Sequence, residues 1–255
     1  MELELQGARV IVTAGANGIG RAIADAFLEA GARVAVCDID QAALDAMPAE
    51  VSARAVDVSD HPALGAFVDQ EAARMGGLDC LVNNAGIAGP TGRIEDLDIA
   101  DIERCLSVCL TSQFVTIARA APFLRKSGNA SITNISSLAG RLGFRLRSPY
   151  AAAKWGVIGL TKSMAAELGP DRIRVNAVLP GLVAGDRQRR VLEARAEARG
   201  ISFDQAEAEA FSYTSIREYV TPRQIADQVR FLASPCARTV SGQAISVCGD
   251  TGMLG

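Results

Sequence analysis

Tyr150 and Lys154 stand four residues apart in the stretch SPYAAAKWGVIGLTKSMAAELGP, residues 148–170. Ala, Leu and Lys are frequent there and Gly169-Pro170 stops the run, so the stretch reads as a helix. Four residues along a helix bring two side chains onto one face. An ordinary surface pair has that spacing, and so has a phenol held beside a cation. The second arrangement does chemistry. An ordinary phenol ionises only at about pH 10, and an adjacent ammonium favours the phenolate, giving a usable base nearer neutral pH.

A second constellation would hold phosphates. The apolar run 9–13 leads into Thr13-Ala14-Gly15-Ala16-Asn17-Gly18-Ile19-Gly20 and then a helical segment. Glycines let backbone N–H groups come close to a pyrophosphate, and the start of a helix favours its charge. The spacing is GxxGxG, where the common dinucleotide fingerprint is GxGxxG. The next apolar run ends at Asp38, 18 residues after Gly20. A carboxylate there accepts hydrogen bonds from the adenosine ribose hydroxyls and repels a 2′-phosphate. Asn17 and Ile39 stand beside it, where an arginine or lysine would welcome that phosphate. The expected cofactor is therefore NAD, not NADP.

Positioning these groups takes a repeating scaffold. Short β-branched runs at 9–13, 33–37, 53–56, 80–82, 130–135, 174–178 and 243–247 read as strands. Several are apolar on successive residues, as in strands covered on both faces. Helices are expected at 18–30, 41–47, 61–74, 99–126, 150–168 and 222–233. This alternation predicts an α/β fold: one Rossmann-type, doubly wound domain over residues 1–255, with a seven-stranded parallel sheet and helices on both faces. Residues 186–220 break the rhythm as two short helices parted by Gly200, an insertion placed to act as a substrate lid.

Composition narrows the classes. Of the 255 residues, 49% are hydrophobic, enough for a large core, and the net charge of −3 leaves no basic face for nucleic acid. The N-terminus lacks a signal-peptide pattern. No apolar run approaches the ~20 residues of a membrane span. A cytoplasmic protein is expected. The six cysteines form no CxxC and there is one histidine, His61, so metal ligation and a disulfide framework are not expected.

With Asn83-Asn84-Ala85-Gly86 after the fourth predicted strand, the set becomes specific. Over essentially its whole length the chain resembles the short-chain dehydrogenase/reductase family. The family's TGxxxGxG loop, NNAG turn, serine, YxxxK pair and Pro-Gly follow one another in this order. Here they correspond to Thr13–Gly20, Asn83–Gly86, Ser137, Tyr150 with Lys154, and Pro180-Gly181. The resemblance implies that Tyr150 is the general acid/base, that Lys154 assists it and holds the nicotinamide ribose, and that Ser137, at the family's usual separation of 13 residues before Tyr150, orients the substrate oxygen, with Ser136 as the neighbouring candidate. It further implies that Thr13, Gly15, Asn17, Gly18, Ile19, Gly20 and Asp38 hold the adenosine and phosphates. Asp57 and Val58 would flank the adenine, Asn84, Ala85 and Gly86 line the cofactor path, and Pro180, Gly181 and Val183 pack near the nicotinamide. Family members are usually homotetramers, paired through the helices expected at 99–126 and 150–168.

Several positions depart from the family. Ala14 replaces the first glycine, and Gly15 is expected to absorb the turn. Cys109 replaces an asparagine that takes part in a proton relay to the lysine. Gly185 replaces a threonine that bonds the nicotinamide amide, and Gly249-Asp250 a common Gly-Gly. In the stretch between Ser137 and Tyr150, Arg145 and Arg147 are the candidate substrate residues. Arg141 stands near them, and Arg187, Arg189 and Arg190 open the insertion. Arginine forks suit carboxylates, phosphates and sulfonates. The expected reaction is hydride transfer between NAD(H) and a small secondary alcohol or ketone, with an anionic hydroxy acid as one candidate. The competing readings are a neutral polyol or sugar, a 3-oxoacyl thioester, and a non-catalytic dinucleotide sensor. An intact Ser137, Tyr150 and Lys154 argues for the enzyme.

Overall fold

A computed structural model describes residues 3–253 of the chain; the side chains of Arg187 and Ala198 lie outside the description. The strands are Arg9–Thr13 (β1), Arg33–Asp38 (β2), Ser52–Ala55 (β3), Cys80–Asn83 (β4), Ser131–Ile135 (β5), Arg174–Pro180 (β6) and Ala244–Val247 (β7). The helices are Gly18–Glu29 (α1), Gln41–Asp45 (α2), His61–Met75 (α3), Ile99–Leu106 (α4), Ser112–Leu124 (α5), Ser148–Leu168 (α6), Asp186–Arg199 (α7), Phe203–Ser212 (α8) and Pro222–Ala233 (α9).

The seven strands form one sheet in the order β3-β2-β1-β4-β5-β6-β7, every pair parallel. Successive strand residues face opposite sides, and the core divides accordingly. Val10 and Val12 of β1 join Phe27, Ile23, Ile225 and Val229 under α1 and α9. Ile11 between them joins Leu64, Phe67, Ile117 and Leu160 under α3, α5 and α6. Helix starts follow local chemistry. Asp60 accepts from the Ala63 N–H at the head of α3, and Thr221 and Gln224 close a capping box before α9.

The order reverses at β1, whose neighbours are β2 and β4. Connections leaving β1 and β4 therefore run to opposite sides and open a crevice at the strands' carboxyl ends, the place where such sheets bind ligands. Both Thr13–Gly20 and Asn83–Gly86 lie there.

One expected element is broken. The continuous helix expected at 99–126 is split by a π-helical segment, Ser107–Thr111, between α4 and α5. A wide turn leaves carbonyls without their usual partners, and here Ser112 Oγ donates to the Val108 carbonyl and Gln113 Nε2 to that of Cys109. The segment's apolar pattern continues through the π turn, which is why the sequence reads as one helix.

The insertion consists of α7 and α8, packed on each other through Leu192, Ala196, Ala206 and Ala210. It is tied at two points beyond the carboxyl ends of β6 and β7, by the bridges Val183–Val220 and Thr214–Thr251. Among the described residues, no helix is long and apolar enough to cross a membrane.

Candidate active site

Three carboxyl-end segments meet around the head of α6. The turn after β4 is fixed to the loop after β1 by a single hydroxyl. Thr13 Oγ1 accepts from the N–H groups of Asn84 and Ala85 at 3.0 and 3.1 Å. Asn84 Nδ2 returns two bonds, to the carbonyls of Thr13 and Ala14. Beneath the turn, Asn83 Nδ2 donates to Asn134 Oδ1, Thr116 donates to Asn83 Oδ1, and Asn134 Nδ2 donates to Thr161. This buried chain joins β4 and β5 to α5 and α6, and buried amides so paired fix one arrangement.

The loop Thr13–Gly20 fits a dinucleotide. Gly20 presses so closely on the loop that a Cβ would lie 2.0 Å from the Ala14 carbonyl oxygen and 2.5 Å from Asn84 Nδ2. Asn17 sits at the N-cap of α1 without capping it, and its Nδ2 donates to Asp40 instead. The first turn of α1 holds no acidic side chain to compete with an anion for its N–H groups. Asp38 ends β2, half-buried. Its Oδ2 accepts from the Ala16 N–H at 3.1 Å and its Oδ1 from Ile39 and Asp40. Gly18 is exposed and Ile19 half-exposed. Ala14, not Gly15, takes the left-handed turn, with φ +50. Gly15 is needed for space instead, since a Cβ there would lie 2.6 Å from Val36. Asp57 is held below the usual carboxylate range by the N–H and hydroxyl of Ser59, and Val58 beside it is buried.

Lys154 is 3% exposed, and its Nζ donates to the Ile135 carbonyl at 2.8 Å. It stands 5.7 Å from the centre of the Tyr150 ring and faces Gly86, where a Cβ would lie 3.4 Å from Nζ. The two serines separate cleanly. Ser136 is buried and donates to the Lys154 carbonyl at 2.8 Å, so its hydroxyl serves the helix. Ser137 is half-exposed and its Oγ accepts from the Ala139 N–H, which leaves its proton to donate outward. Pro180 ends β6, and Gly181 donates to the Val247 carbonyl with no room for a Cβ against Cys248. Val183 forms the bridge to Val220. Gly185 takes φ +139, a conformation that a threonine disfavours, and stands at the N-cap of α7.

Cys109 lies in the π segment, fully buried. Its Sγ accepts from the Ile87 N–H at 3.4 Å and donates to the Ile87 carbonyl at 3.5 Å. It thereby braces the segment after Gly86. Cys105, one turn away, is pushed up by its hydrogen bond to Cys109 and by burial, so it stays a thiol.

The arginines divide. Arg145 is exposed in the loop before α6. Arg147, expected as an open fork, is instead 7% exposed, with its guanidinium against the rings of Phe144 and Tyr150 and donating to the Ala88 carbonyl. Arg141 bonds the β7 edge at Ala244 and Ser246. Arg189 pairs with Glu193. Sequence reasoning missed Asn134, Thr116 and Thr161. They are polar residues inside apolar elements, and an unexplained polar residue in a core strand was the available signal.

The family described as enoyl-(acyl carrier protein) reductase matches residues 13–253. The chain is 39% identical to the trans-4-hydroxycyclohexanecarboxylate dehydrogenase of Sinomonas cyclohexanicum, over 68% of this chain and 71% of that one. It is 35% identical to that organism's cis-4-hydroxycyclohexanecarboxylate dehydrogenase, over 94% of each. A solved structure of an actinorhodin polyketide ketoreductase variant with NADPH superimposes with a TM-score of 0.91 at 32% identity, covering 96% of this chain and 97% of that one.

Proposed function

The chain belongs to the short-chain dehydrogenase/reductase family, and we propose that it is an NAD-dependent dehydrogenase of a small secondary alcohol that carries a carboxylate. The single observation that carries the catalytic reading is the buried Lys154 ammonium beside the Tyr150 ring at the crevice. A dinucleotide held by the Thr13–Gly20 loop would supply the hydride acceptor. The chain's own groups do the rest. Ser137 donates to the substrate oxygen and holds it. Tyr150 takes the hydroxyl proton as the carbonyl forms, and returns it in the reverse direction. Lys154 keeps a positive charge against the phenol while the proton moves.

Asp38 supports NAD over NADP. It and Asp40 place carboxylates, not a basic side chain, at the end of β2. The acid substrate is supported by the exposed Arg145 and by the hydroxy-acid names of the relatives at 39% and 35% identity. The insertion 186–220 serves as the lid, supported by its two ties beside the crevice. A cytoplasmic homotetramer completes the reading. Phe114 of α5 and Trp155 of α6 are half-exposed, and an apolar groove of about 290 Å³ lies between these helices, lined by Phe114, Ile117, Ala121, Leu160 and Met164. A second copy would cover it.

Turnover on a hydroxycyclohexanecarboxylate and on its neutral amide, with the wild type and Arg145→Ala, tests the substrate class. The variant should lose the acid's advantage and keep the amide rate. Equal losses on both substrates sink the assignment of Arg145.

A further inference from the structure

A second cation lies against the Tyr150 ring. Arg147 precedes α6, and its guanidinium stands 5.0 Å from the centre of the Phe144 ring and 5.1 Å from that of Tyr150. Its charge is almost wholly removed from water, at 7% exposure. Burying a guanidinium is unfavourable unless its N–H groups find partners, and the Ala88 carbonyl is one of them. The surrounding backbone is bent to keep it there. Arg147 donates to the Ala88 carbonyl, and the Leu146 carbonyl next to it accepts from Gly92 at 3.0 Å. Leu146 takes φ +61 in making that join, a conformation that a leucine disfavours. Two contacts thus clamp the loop before α6 to the segment after β4.

We infer that Arg147 is a positioning residue for Tyr150: it packs against the ring and, through its bond to the Ala88 carbonyl, fixes the ring against the segment after β4. The inference rests on Tyr150 acting as the base. The titratable and charged groups that face the ring are Arg147 from the loop, Lys154 from α6 itself, Cys105 from α4 and Cys109 from the π segment. Ile87, Leu106 and Leu110 pack with Tyr150 against the cluster formed by Cys105, Cys109 and Ala153. The same geometry takes Arg147 out of the substrate's reach as a carboxylate fork, leaving that role to Arg145.

The test compares wild type, Arg147→Gln and Arg147→Lys, each with its Tyr150→Phe counterpart. Glutamine keeps a donor for Ala88 and a similar size while dropping the charge. The rate kcat and the KM for alcohol oxidation, and the Kd of NAD, are measured on each protein. Loss of the positioning contact should lower kcat about tenfold in Arg147→Gln with KM and the Kd of NAD unchanged, and Arg147→Lys should restore most of the rate. Equal kcat in wild type and Arg147→Gln overturns the inference. So does a rate loss in Arg147→Gln confined to the acid substrate, which would make Arg147 a fork. Turnover that survives Tyr150→Phe would instead remove the reading of Tyr150 on which the inference stands.

Discussion

Lys154 Nζ donates to the main-chain oxygen of Ile135 at 2.8 Å, tying the cation of α6 to the carboxyl end of β5. The same carboxyl-end segment contributes Ser136 to the Lys154 carbonyl and Ser137 to the crevice. A loss of the ammonium acts twice. Lys154→Met should lower kcat about a hundred- to ten-thousand-fold, as expected for the loss of assistance to a general base. It also leaves the buried Ile135 carbonyl unpaired, at a cost of about 1–3 kcal/mol. Steady-state kinetics and chemical denaturation read the two effects separately.

Ala14 holds φ +50 at a position usually given to glycine. A left-handed alanine is disfavoured by about 1–2 kcal/mol, while a glycine loses about 0.5–1 kcal/mol in entropy. Ala14→Gly should therefore stabilise the protein slightly, raising Tm by about 1–4 °C. A calorimetric scan that shows Tm falling would mean that the Ala14 methyl group packs usefully.

Gly20 should tolerate nothing larger. In Gly20→Ala the added Cβ would meet the Ala14 carbonyl at 2.0 Å, and backbone cannot yield as a side-chain end can. Destabilisation of about 1–3 kcal/mol is expected from the overpacking. Dinucleotide affinity, measured by calorimetry, should fall about tenfold or more as the loop is pushed outward.

Acid sensitivity should trace in part to Asp79. Burial pushes this carboxyl up. The Arg9 guanidinium, Ser127 and the Arg9 N–H outweigh that and hold it below the ordinary range. A carboxylate depressed by folding stabilises above its unfolded value, about 3.9, and the contribution is lost as pH falls towards the folded value. Asp79→Asn should cost about 1–3 kcal/mol at neutral pH and flatten the fall in stability below about pH 4. Urea denaturation at a series of pH values reads both.

The scaffold was legible because its pattern is redundant. All seven strands and the two insertion helices lie within a few residues of their expected places, since apolar runs and turn residues mark each one. Asp38, the loop Thr13–Gly20 and the pair Tyr150–Lys154 fall at the crevice because short motifs sit at strand ends and at a helix head. Three features were not legible. The π turn at Ser107–Thr111 changes hydrogen bonding without changing the apolar pattern. The burial of Arg147 depends on a left-handed Leu146, a conformation that no residue type signals. The separation of Ser136 from Ser137 depends on which of two adjacent hydroxyls the strand end turns inward.

The most direct measurement is cofactor-specific turnover. NAD and NADP are titrated against hydroxycyclohexanecarboxylates, polyols and simple secondary alcohols, following the absorbance of the reduced cofactor, with wild type and Tyr150→Phe in parallel. NAD-linked oxidation of an acid substrate in the wild type, lost in Tyr150→Phe while NAD still binds, is the expected result. A preference for NADP would contradict the reading of Asp38, and turnover unchanged in Tyr150→Phe would contradict the assignment of the base.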